Sequence, residues 1–323
     1  MTVSRRQFLK GMGAAAAAVA LGGELPAAER APAARAASRL RFGVQPRPEH
    51  TSYADLLTVW QEADGLGFDS AFVFDHFMPI DGRPAGPCFE GWTLLAALVA
   101  KTERIRAGVL VTGNTYRYPA VLAKMAATVD HASGGRLILG MGAGWFDAEH
   151  EAYGIPFYTA GERARRLVEA VEVVKSLFTR DRTTFLGKYY TLKDAPFEPK
   201  AVQKPHPPIL IGGMGAKVIQ PLAARQADIW HFFPKGLDPQ ETKQMGEHFD
   251  TLCRKAGRDP SLVERAVTLD PELANAPPKE VRARVRALAD VGIRHFFVSL
   301  SAPYDRKLLR RLAKEVLPDF RRA

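Results

Sequence analysis

Ile105-Arg106-Ala107-Gly108-Val109-Leu110-Val111-Thr112 is an apolar run of strand length, and the residues after it set the architecture of the chain. Gly113, Asn114 and Pro119 mark a turn, a helical pattern covers Ala120–His131, and Leu137-Ile138-Leu139-Gly140-Met141 is again a short apolar run. Runs without polar alternation suit strands covered on both faces, as in a parallel sheet with helices packed outside it. Outward from this stretch the unit recurs. Strands are predicted over Leu40–Gln45, Ser70–Phe74, Ile105–Thr112, Leu137–Met141, Ile209–Ile211, Asp228–Phe232, Ala266–Leu269 and His295–Leu300. Helices are predicted over Tyr53–Leu66, Gly91–Lys101, Ala120–His131, Glu162–Thr179, Lys217–Ala224, Pro239–Lys255, Lys279–Asp290 and Asp305–Leu317. Eight alternating units predict an α/β fold of the (β/α)8 TIM-barrel type. A doubly wound open sheet is the alternative, but its dinucleotide fingerprint is missing after the first strand, where Gly43-Val44-Gln45-Pro46 stands. Between the fourth helix and the fifth strand, Thr183–Pro208 breaks the rhythm and reads as a hairpin insertion over the barrel rim.

The first residues give a second, separate signal. Ser4-Arg5-Arg6-Gln7-Phe8-Leu9-Lys10 leads into an uncharged Gly/Ala/Leu stretch over Gly11–Gly23 and a small-residue region over Ala27–Ala37. That is the form of a twin-arginine export signal, too short and alanine-rich to span a bilayer. Residues 1–37 are therefore expected to be the signal and 38–323 the barrel, exported to a periplasmic or other extracytoplasmic space with the twin-arginine machinery as a transient partner. Losing residues 1–37 takes away Arg5, Arg6, Lys10, Arg30 and Arg35 against Glu24 and Glu29, and the mature chain stays basic. The twin-arginine route moves folded proteins, often with a cofactor loaded, which favours a cofactor enzyme. Cys88 and Cys253 make neither a disulfide framework nor a metal site, and both are expected free.

In such barrels chemistry collects where the strands end at their carboxyl side. After the second strand come Asp75 and His76. A histidine there titrates near neutrality and suits proton movement beside a hydride transfer. Asp75 is open to three readings: orienting His76, accepting from a cofactor hydroxyl, or holding its loop. After the third strand, Asn114 can donate and accept together, while Arg117 is open to pairing with an acid. After the fourth, Gly142-Ala143-Gly144-Trp145 offers close backbone approach and an aromatic plane at the mouth. After the fifth, Gly212-Gly213-Met214-Gly215 precedes a helix near Lys217 and reads as a phosphate cradle. Ser133-Gly134-Gly135-Arg136 precedes a strand, so it lies at the opposite rim and reads as structural. No metal-ligand spacing and no Gly-x-Ser-x-Gly elbow occurs, which disfavours metallohydrolase and serine-hydrolase chemistry. No aromatic-interleaved basic stripe points to nucleic acid.

Taken together, Val111–Arg117, Ala123–Asp130, Ser133–Arg136, Gly142–Trp145, Phe185–Tyr190, Ala195–Lys200 and Pro205–Gly213 resemble the bacterial luciferase-like superfamily, most closely its branch using the deazaflavin coenzyme F420. The resemblance implies a (β/α)8 barrel and two-electron hydride transfer between an organic substrate and the deazaflavin. It implies His76 as the proton donor or acceptor. Ring contacts are implied from Asp75, Leu110, Val111, Asn114, Gly142, Ala143, Gly144 and Trp145, with a cis peptide bond about Leu110-Val111. Gly212, Gly213, Met214 and Gly215 take the phosphate side, and a homodimer is the implied assembly. Some deazaflavin dehydrogenases carry an acid directly after the fourth-strand glycines; here Trp145 stands there, with Asp147 and Glu149 nearby, which argues against an acid–base pair and a sugar-phosphate or simple alcohol substrate. Two alternatives stay open: an FMN-dependent monooxygenase on the same barrel, and a cofactor- or ligand-binding protein without turnover.

Overall fold

The computed structural model describes residues 39–321, so the twin-arginine segment lies outside the described residues. In chain order the strands are β1 (Arg41–Pro46), β2 (Ser70–Val73), β3 (Arg106–Val109), β4 (Thr112–Gly113), β5 (Leu137–Gly142), β6 (Arg182–Leu186), β7 (Thr191–Pro196), β8 (Ile209–Gly212), β9 (Ile229–Phe232), β10 (Glu264–Leu269) and β11 (His295–Leu300). All but β6 and β7 pair in parallel, and the contacts of β3 with β5 and of β1 with β11 close the sheet. The result is an eight-stranded barrel in which β3 and β4 are two segments of one stave. The insertion is the antiparallel hairpin β6–β7. The third predicted strand needs correction, because it ends at Val109 and pairing resumes only at Thr112. Between them the Leu110–Val111 peptide bond is cis.

Local chemistry sets the helix starts. The Ser52 hydroxyl accepts the Asp55 amide at 3.1 Å to cap Tyr53–Gly65, and Pro119 opens Pro119–Ala132. Asp238 followed by Pro239 opens Pro239–Lys255 in the same way. Each helix buries one stripe against the strands; in the first, Leu56, Val59, Trp60 and Ala63 recur at helical spacing.

The apolar strand runs conceal an alternation. Ala71, Val73, Val109, Leu139, Ile211, Phe232, Val267 and Val298 join the core under the helices. Phe72, Ile138, Leu210, Ile229, Ala266 and Phe297 form a separate cluster inside the barrel. Side chains on a strand alternate between faces, so two residues further along the inner face come Gly140, Gly212, His231, Thr268 and Ser299. The inner face thus turns from apolar to polar or absent as the strands approach their carboxyl ends. At the other end the Ser70 hydroxyl lies 2.8 Å from His295 Nε2, and His295 Nδ1 lies 2.9 Å from Glu264. That arrangement has the order of a hydrolase triad, but Ser70 and His295 are buried and far from the carboxyl-end cavity in the layer sequence, so it serves as packing.

Candidate active site

The carboxyl ends enclose a cavity of about 730 Å3, within the usual range for a cofactor or ligand site. Its walls bring together Asp75, His76, Leu110, Val111, Gly142, Ala143, Gly144, Trp145, Gly212, Gly213, Met214 and Gly215 from four separate strand ends. Val111 is its floor. A Cβ on Gly142 would stand 2.5 Å from one Val111 methyl, and a Cβ on Gly212 would stand 2.9 Å from the other. Glycine at both positions is what lets the Val111 side chain lie between β5 and β8. Trp145 is 61% exposed at the mouth and meets His76 edge to face, with ring centres 5.7 Å apart.

His76 is the best-positioned group. Its Nδ1–H donates to Glu149 Oε1 at 3.1 Å, which leaves Nε2 as the nitrogen available to the cavity. Glu149 sits on the short helix Asp147–Ala152, and its side chain is wholly buried. The Tyr116 hydroxyl donates to the same oxygen, while the amides of Phe77 and Met78 donate to the other. Burial works against the Glu149 charge, but the donors from His76, Tyr116 and Phe77 outweigh it and hold the carboxyl below its ordinary range. Burial and the hydrogen bond to Glu149 push the Tyr116 phenol up, so it remains a donor. Of the two acids noted near Trp145 in the sequence, Glu149 is the one that meets His76. The acid arrives four residues after Trp145, turned inward by one helical turn.

Asp75 does not orient His76. Arg117 grips its two oxygens at 2.5 and 2.9 Å, and the Gly113 amide adds a third bond at 3.2 Å. Arg117 also reaches Glu90 at 2.5 Å. This buried network ties the loops after β2 and β4 together, so Asp75 holds the site from behind. Asn114 stands off the cavity wall: its side-chain amide donates to the Tyr190 hydroxyl at 3.0 Å and its backbone amide to Gly142 at 2.9 Å. In the Gly212–Gly215 turn, expected from the sequence to take a phosphate, the Gly213 amide is occupied by the His231 carbonyl at 3.0 Å. Among the described residues the amides of Met214 and Gly215 have no backbone partner, and the helix behind them begins at Ile219 rather than Lys217. Lys217 is exposed and does not line the cavity.

The sequence reading missed several wall residues: Gln45, Arg47, Asp81, His231, Phe233, Thr268, Asp270, Ser299 and Ser301. His231, Phe233, Thr268, Asp270, Ser299 and Ser301 stand at every second residue after Ile229, Ala266 and Phe297, a count that would have found them. Burial, reinforced by His295, pushes the His231 imidazole down to about 3, so it is neutral and bonds Thr268 at 2.9 Å.

The barrel has counterparts among known proteins. The luciferase-like monooxygenase family model matches residues 34–315. The chain belongs to the luciferase-like monooxygenase family. As a family member it is an oxidoreductase. Among curated relatives, an F420-dependent glucose-6-phosphate dehydrogenase of Microbacterium testaceum is 36% identical over 72% of this chain and 69% of its own length. An FMNH(2)-dependent dimethylsulfone monooxygenase of Pseudomonas putida is 34% identical over 53% of this chain and 46% of its own length. With several such relatives the match spans about half of their length. The fold of the family is also that of an F420-dependent secondary alcohol dehydrogenase solved with an F420-acetone adduct, with a TM-score of 0.75 at 23% identity over 86% of this chain and 98% of the other. Relatives thus divide between deazaflavin and flavin users. At the other end, residues 2–22 match the twin-arginine translocation signal sequence.

Proposed function

We propose that this luciferase-like protein is a coenzyme F420-dependent oxidoreductase, passing a hydride between an organic substrate and the deazaflavin outside the cytoplasm. The observation that carries the proposal is the His76–Glu149 pair at the cavity wall. A carboxylate held anionic by four donors keeps His76 in the Nδ1–H tautomer, so Nε2 presents its lone pair to the cavity. When Nε2 takes a proton from a substrate hydroxyl, Glu149 stabilises the resulting imidazolium, the role an aspartate plays in a catalytic triad.

The residues present fit a flat tricyclic ring. Val111 offers an apolar floor, Gly142 and Gly212 leave the space above β5 and β8 free of side chains, and the amides of Met214 and Gly215 suit a phosphate. A bound deazaflavin supplies the two-electron hydride acceptor or donor that no side chain can provide. The Asp75–Arg117–Glu90 network fixes the loop carrying His76, and Trp145 with Phe146 covers that ring from solvent. Residues 1–37 are proposed to leave after export, with 38–323 as the working barrel.

The test is titration of the purified full chain with F420 and with FMN, read by tryptophan quenching. Micromolar or tighter F420 binding with little for FMN supports the proposal. Preference for FMN transfers the site to oxygen chemistry, and binding of neither removes the redox reading. His76→Ala is expected to abolish turnover while leaving cofactor affinity nearly intact; retained turnover would refute its role.

A further inference from the structure

The charge lining this cavity is uneven. Its basic side chains are Arg47, His76 and His231. Arg47 is already neutralised, bonded to Asp81 and lying 3.5 Å from buried Glu49. His76 is held by Glu149, and His231 is buried and bonded to Thr268. Asp270 has no cation beside it: one oxygen accepts the Leu273 amide at 2.7 Å, and among the described residues no ion pair includes it. At the mouth, Trp145, Met214 and Phe233 are 61%, 42% and 57% exposed. Three large apolar side chains around one opening are the mark of a surface that receives something apolar.

We propose that this site selects an uncharged substrate with an apolar body and rejects phosphorylated, sulfonated or carboxylated molecules. The proposal rests on reading the cavity as the redox site, and it names the class of molecule that site accepts. An anionic group entering here exchanges water for aromatic rings, meets Asp270, and finds no cation to pair with. A neutral hydroxyl or carbonyl loses nothing comparable, because Gln45, Ser299 and Ser301 offer uncharged donors and acceptors on the wall. The coenzyme's own phosphate is served by main chain rather than by a cation, through the amides of Met214 and Gly215, which among the described residues have no backbone partner. Phe233 follows β9 and Asp270 follows β10, so the discriminating residues lie on the side of the cavity next to the turn after β8, where the Phe233 amide meets Met214 Sδ at 3.4 Å.

The experiment is isothermal titration of the full chain, with and without bound cofactor, using 4-phenylbutan-2-ol, its phosphate monoester and glucose 6-phosphate. The alcohol is expected to bind at least about tenfold more tightly than the ester, and glucose 6-phosphate to give no heat of binding. Phe233→Ala is expected to weaken the alcohol several-fold. Asp270→Asn, which keeps a good helix cap, is expected to narrow the gap by raising ester affinity alone. Equal or tighter binding of the ester, binding of glucose 6-phosphate, or no binding of the alcohol overturns the proposal. Failure of both cofactors to bind sinks the redox reading instead, and the cofactor-free titrations still decide the charge preference.

Discussion

Glu149→Gln separates the proton chemistry of this site from its architecture. The native carboxylate takes two donors on each oxygen: His76 and Tyr116 on Oε1, Phe77 and Met78 amides on Oε2. A glutamine has one acceptor oxygen and one NH2. If the NH2 faced Phe77 and Met78, two buried amides would lose their partners, at about 1–3 kcal/mol each. The oxygen therefore settles on those amides and the NH2 faces His76 and Tyr116. Both can adapt, since the tyrosine hydroxyl rotates and the imidazole changes tautomer. Adaptation places the proton on Nε2, and the lone pair needed at the cavity is gone. Stability is expected to fall by only about 1–2 kcal/mol, the difference between charged and neutral hydrogen bonds, as read by urea denaturation at pH 7. Turnover is expected to fall by roughly 10²- to 10⁴-fold, with F420 affinity held within about threefold, since Glu149 is absent from the cavity wall. The stability gap has a pH signature. Because the folded carboxyl titrates below its unfolded value, its contribution is complete above about pH 4.3 and fades as pH falls through the folded value. Wild type and variant should converge in acid. A variant that keeps a third of its turnover, or loses cofactor binding and turnover together, refutes the assignment.

Three further outcomes are expected. Gly142→Ala places a methyl 2.5 Å from Val111, so cofactor affinity should fall at least about tenfold, and Val111→Ala in the same chain should recover most of it by titration. His231 stays neutral in the fold down to about pH 3, whereas the unfolded chain protonates it below about 6.5; stability should therefore fall with pH across that window, by up to about 1.4 kcal/mol per unit, and His231→Gln should flatten the slope between pH 4 and 6. Trp145→Phe, at an exposed rim position, should leave stability within about 0.5 kcal/mol and remove most of the fluorescence response to the cofactor; an unchanged response would place the ring elsewhere.

The barrel was legible because a strand buried on both sides leaves a short apolar run, and the runs are spaced by helices of ordinary length. The break after Val109 was not legible as a strand ending, since Leu110 and Val111 continue the same composition. The glycine turns and His76 could be placed because barrel geometry assigns strand ends to one rim. Glu149 could not, because its partners lie 73 and 33 residues away and the helix that turns it inward is only six residues long. Local pattern carries no record of such a meeting. Asp75 shows the converse: a side chain next to the catalytic candidate in sequence points to Arg117 behind it.

Val111, Gly142 and Gly212 occupy one volume that has room for a single branched side chain, although they come from three different strands. Neither glycine can gain a side chain unless Val111 shifts or shrinks. Change at this end of the cavity has an order: shrinking residue 111 first frees residues 142 and 212 to grow, whereas growth at 142 or 212 first meets the Val111 methyls. Bulk at these three positions is therefore coupled, whereas Phe233 and Asp270 follow other strands, β9 and β10.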